Sequence, residues 1–113
     1  MIKLNAFGLL LVASIYVPVA LAADASVEIF SPAAGATLKA GSPIPVTYNV
    51  VPGSQGDHTH IYVNGDQKAV LRTLKDTHTL DGLAAGKHDI CIKIVNKGHA
   101  PIGIEKCISV NVG

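Results

Sequence analysis

The segment Asp57-His58-Thr59-His60-Ile61-Tyr62-Val63-Asn64-Gly65 places two of the chain's five histidines one residue apart, at the start of an apparent β-strand. Side chains two apart on a strand share a face, so His58 and His60 can turn two imidazole nitrogens toward one metal ion. His99 stands in the loop between the last two expected strands and can fold over the same face. The three together form a facial set suited to copper or zinc, which favour imidazole nitrogen. Asp57 could add an oxygen ligand or orient a ring from behind. His78, at the start of another strand, is a further candidate. His88 falls at the opposite end of the expected fold, where its ring would pack and bond to nearby backbone.

Two other readings use the same residues. Histidines on a solvated strand need no function at all. A face built from His60, Tyr62, Lys93 and Pro101, with the loop tip running on to Ile102, could instead recognise a protein partner or surface polymer with the aromatic ring as anchor. That would make the chain a structural or interaction module for adhesion or envelope assembly, with no metal. Catalysis is not expected. No Gly-x-Ser-x-Gly elbow, phosphate-cradling glycine loop, His-Glu-x-x-His or dinucleotide fingerprint occurs, and the acidic residues are too scattered to nominate a pair.

Residues 1–22 are set aside from the fold. Lys3 supplies a positive start, Ala6 to Val19 is apolar apart from Ser14, and Ala20-Leu21-Ala22 is a small-x-small cleavage signal. This reads as a signal peptide cut before Ala23, rather than a membrane anchor, because the run is short, contains Pro18 and lacks basic stop-transfer residues. Residues 23–113 then form one periplasmic or secreted domain, with no membrane attachment after cleavage. Without Lys3 the basic and acidic side chains balance at eight each, from totals of nine and eight. Nothing in that balance attracts nucleic acid or anionic lipid.

Both cysteines fall in the exported part, where an even count reads as a disulfide. In His88 to Val95 the alternation turns Ile90, Ile92 and Ile94 inward and Cys91 and Lys93 outward. In Ile104 to Val112 it turns Ile108, Val110 and Val112 inward and Cys107 outward. A hairpin through Asn96 to Gly103 that pairs Ile90 with Ile108 sets Cys91 opposite Cys107, at a separation a disulfide can bridge. A thiolate metal pair or redox pair is the alternative, but neither Cys-x-x-Cys spacing nor a helix N-terminus supports it.

The remaining elements are strands and turns: Ser26 to Phe30, a short piece at Thr37-Leu38, Ile44 to Val51, His58 to Val63, Gln67 to Arg72 after the Asn64-Gly65 turn, and Thr77 to Leu80. Short strands between Gly, Pro and Asn turns predict an all-β antiparallel immunoglobulin-like sandwich of about seven strands. The pattern Ser31-Pro32-x-x-Gly35, Gly41-x-Pro43-x-Pro45-Val46 and Leu80-x-Gly82-Leu83-x-x-Gly86-x-His88 resembles bacterial immunoglobulin-like and fibronectin type III-like domains. A closer resemblance is to small periplasmic domains of His-cluster bacterial families, carried by His58 and His60, Val63-Asn64-Gly65, Gly86-Lys87-His88 and Gly98-His99-Ala100-Pro101. Those relatives often have three consecutive histidines and another after the proline. This chain has Thr59 and Ile102 in those places.

Overall fold

Alternating apolar and polar residues drive the chain into strands that bury one face each. The computed structural model describes residues 24–113, so the expected signal peptide at residues 1–22 and its cleavage point before Ala23 lie outside the described residues. Eight strands run in order among them: β1 (Ser26–Ser31), β2 (Thr37–Leu38), β3 (Ile44–Val51), β4 (His58–Val63), β5 (Asp66–Leu71), β6 (Lys75–Leu80), β7 (Gly86–Val95) and β8 (Pro101–Val112). They form an all-β sandwich with a three-stranded sheet β1-β3-β6 and a five-stranded sheet β2-β8-β7-β4-β5. All pairings are antiparallel except the two-residue parallel contact of β2 with β8.

The core is the sum of the inward phases. Val46, Tyr48 and Val50 of β3 meet Ile61 and Val63 of β4, Ile90, Ile92 and Ile94 of β7, and Ile108, Val110 and Val112 of β8. Tyr48 is fully buried, and its hydroxyl escapes the cost of burial by donating to the Thr73 carbonyl at 3.0 Å. The hairpin register is the one the alternation requires: Ile90 faces Ile108 and Cys91 faces Cys107. The two cysteines are bonded, with Cα atoms 4.1 Å apart.

β1 and β5 differ from the sequence expectation by single residues at their ends, and three strand starts differ by more. β6 starts at Lys75, two residues early, and β7 at Gly86. β8 begins at Pro101, because pairing resumes at Val95 with Pro101 after a register shift beyond Lys93. The loop carrying His99 is therefore only Asn96 to Ala100. Ile102, expected on an exposed loop tip, instead lies half-buried against the core.

At the far end of β7, Nδ1 of His88 accepts from the Asn64 amide at 2.8 Å and Nε2 donates to the Ala84 carbonyl at 2.7 Å. The Asn64 amide oxygen in turn accepts the Asp89 N–H at 2.9 Å. His88→Ala is expected to cost about 1–2 kcal/mol by removing two neutral bonds, read as a lower thermal midpoint, while leaving zinc uptake unchanged in a titration. A ring seven residues along β7 from Val95 is about 23 Å away at ~3.3 Å per residue, far outside any shared coordination sphere.

Candidate metal centre

His58 and His60 project from the outer face of the five-stranded sheet, as their period-2 spacing demands. They are not solvated there: His58 is 1% exposed and His60 4%. On neighbouring strands the register sets His60 between Val70 and Lys93, and the Asn96–Ala100 loop brings His99 against both rings. Thr59, between them, faces the opposite side and is also buried, with its hydroxyl unpartnered. A side chain at position 59 points into the sandwich and so offers no donor to this face.

Three ring nitrogens converge. His58 Nε2 lies 3.2 Å from His60 Nε2 and 3.1 Å from His99 Nδ1, and His60 Nε2 lies 3.0 Å from His99 Nδ1. The triangle is nearly equilateral, and its centre is about 1.8 Å from each corner, close to the ~2.0–2.1 Å of a zinc–imidazole bond. Behind His58, the Asp57 carboxylate accepts from Nδ1 at 2.8 Å. That bond places the proton of the neutral ring on Nδ1 and leaves Nε2 a lone pair aimed into the triangle, the arrangement found behind metal-ligating histidines. Tyr62 Oη sits 3.5 Å from the outward Nδ1 of His60.

Burial, reinforced by the nearby His58, His99 and Arg72, pushes the His60 imidazole below its ordinary value of 6.5. The neutral, metal-binding form is thereby favoured at neutral pH. Three nitrogens this close cannot all be satisfied by each other, because each is either donor or acceptor. A cation capping the three would satisfy all of them at once.

His99 reaches the site through a strained backbone. Its φ is +65°, in the left-handed region that is costly for a residue with a Cβ. Asn96 holds the turn: its N–H donates to the Ala100 carbonyl at 2.9 Å and its carbonyl accepts the His99 N–H at 2.9 Å. Its side-chain oxygen accepts the Ala100 N–H at 3.0 Å. Asn96→Ala should weaken zinc binding about 10-fold, at the lower end of the effect of outer-shell partners, with Asn96→Asp restoring it because the acceptor oxygen remains. Isothermal titration of both variants checks this.

The other candidates separate in space. Asp57 stands behind His58 rather than at the triangle, with Arg72 3.9 Å from its carboxylate. His78 is not part of the cluster. It lies in β6 of the other sheet, opposite Val46, as a mid-strand residue rather than at the loop end. Tyr62 and Lys93 do share the face, the ammonium 4.7 Å from the ring centroid and 3.7 Å from the Glu105 carboxylate. Pro101 is exposed nearby, but as the first residue of β8 and not as a loop tip. Asn96 and the strain at His99 were not legible beforehand; Asn-x-Gly ahead of the histidine was the available turn signal.

The strand order and this geometry allow comparison with solved structures. Fibronectin(III)-like modules of Clostridium thermocellum CbhA superpose with a TM-score of 0.64 at 23% identity, over 76% of this chain and 93% of theirs. The fold is fibronectin III-like. A CARDB domain from Pyrococcus furiosus aligns at a TM-score of 0.50 and 14% identity, over 79% of this chain and 94% of its own. A Jonesia denitrificans lytic polysaccharide monooxygenase is similar over 73% of this chain and 60% of its own, at 18% identity and a TM-score of 0.47. No family model and no curated protein matches the chain. At these identities the likeness is one of architecture, and function has to be argued from the site.

Proposed function

We propose that this chain is an exported metal-binding module that holds one copper or zinc ion through His58, His60 and His99. The observation that carries the reading is the triangle of ring nitrogens 3.0–3.2 Å on a side, two of its three histidines buried and one backed by a carboxylate. Three ring nitrogens at this spacing can all bond to one ion of a kind that favours imidazole. The module works in the periplasm or outside the cell, a placement supported by the Cys91–Cys107 disulfide, which persists where thiols are not kept reduced.

The test is calorimetric titration of the tag-free domain with zinc and copper(II) across pH. One ion per chain is expected at pH 7.5, with affinity falling steeply below about 6.5 as protons compete for imidazole. The metal-free protein should follow the sign of the His60 shift. Its folded value is depressed, so the unfolded chain takes up the proton first. This contribution to stability is full above about 6.5 and is lost as pH falls through the lower folded value. Urea midpoints in EDTA should show that loss, and His60→Gln should flatten it. A partner that binds at low pH, with no metal taken up at neutral pH, would favour an interaction module at Tyr62, Lys93 and Pro101 instead.

A further inference from the structure

Resting on the metal reading, we infer that the centre is an open one: the ion held by His58, His60 and His99 keeps a coordination position for an exogenous small anionic donor.

Two independent features carry this. The first is the size of the triangle. A three-coordinate ion in the plane of its ligands, at ~2.0 Å bonds of the zinc–imidazole kind, needs ligand nitrogens about 3.5 Å apart. Here they are 3.0–3.2 Å apart. At nitrogen separations this short, an ion with bonds of ~2.05 Å would be held from one side of the three rings. That is a facial cap, which leaves the side away from the nitrogens for a fourth ligand. Among the described residues the only group of three or more histidine, cysteine or acidic donors gathered closely enough is this trio. Asp57 is held behind His58, and both cysteines are bonded to each other. Among the described residues no fourth donor of these types joins the trio.

The second is charge. Three neutral imidazoles leave a divalent ion's charge intact in a site where two of the rings are buried. The nearby carboxylate of Asp57 faces Arg72, and Lys93 is met by Glu105. Among the described residues no carboxylate reaches the triangle itself, and Asp57 offsets the charge only from behind His58, so an anion from solution is attracted to the open position. The same geometry disfavours copper(I), which is satisfied by fewer ligands and prefers thiolate or thioether.

The experiment loads the mature domain with cobalt(II), which reports coordination through its visible bands, and titrates azide. Expected is a one-to-one cobalt complex whose bands move saturably with azide, and the same azide added to the His60→Gln variant should give no such shift at matched cobalt. If cobalt binds tightly but the bands ignore azide, the coordination sphere is closed and the inference is overturned while the metal reading stands. If cobalt makes the protein dimerise in sedimentation and the dimer's bands ignore azide, a second copy supplies the donor and the inference is likewise overturned. If neither cobalt nor zinc binds, both readings fall.

Discussion

Replacing His60 by alanine should weaken zinc binding by at least about 100-fold, the upper end of what loss of a mere supporting residue costs. His60 supplies one corner of the nitrogen triangle, and the remaining pair, His58 and His99, leaves an ion with half of a tetrahedral shell. The outward direction of the side chain on β4 alone would imply little cost to folding. Its 4% exposure says otherwise. Truncation leaves a gap beside His58, Tyr62 and His99, so the metal-free variant should also melt lower. His60→Gln fills most of that volume and separates the two effects: its melt should stay near that of the parent while zinc affinity still collapses. Titration at a temperature well below both melts, with His88→Ala alongside, is the measurement. Parent-like zinc affinity in His60→Gln would show that the triangle is a packed histidine cluster and nothing more.

Loss of the Cys91–Cys107 bond has the second largest expected effect, and it falls on stability. The cysteines are 16 apart in sequence, and closing a loop of about 15 residues restrains the unfolded chain by about 3 kcal/mol. For a domain of this size that corresponds to a thermal midpoint lower by roughly 10–20 °C. The double variant Cys91→Ala with Cys107→Ala should still fold, because the apolar core of both sheets lies on the other face of β7 and β8. It should bind zinc somewhat more weakly, since the same hairpin carries the Asn96–Ala100 turn and therefore His99. Differential scanning calorimetry of parent and variant gives the shift, and alkylation of the exported parent under non-reducing conditions should find no free thiol. A variant melting within a degree or two of the parent would show that the bond restrains an already structured unfolded state.

The two effects meet on one face of one sheet. Tyr62 stands opposite Cys91 and His60 opposite Lys93, so the disulfide and the imidazoles occupy successive rows of β4 and β7. The bond pins β7 to β8, and their connecting turn aims His99 at the two rigid strand histidines. Two donors are thus set by strand geometry and one by a turn, which makes that turn the place where affinity can be adjusted with least effect on the fold.

Residue alternation alone was enough for much of this. Because side chains two apart share a face, His58 with His60, and the inward isoleucines with the outward cysteines, could be read without coordinates, and the one register pairing Ile90 with Ile108 carried the disulfide with it. The sandwich class followed from strand lengths and turn residues. Tertiary structure decided what alternation cannot address. His99 is 41 residues from His58, and only closure of the β7–β8 hairpin with a shortened turn brings its Nδ1 to 3.1 Å. His78 has the same chemistry but lies in β6 of the three-stranded sheet, opposite Val46, and is not gathered with the other rings. Burial of His58 and His60 likewise depends on neighbours from β5, β7 and the loop. A strand's period says which way a side chain points, whereas what it meets there depends on chain segments distant in sequence.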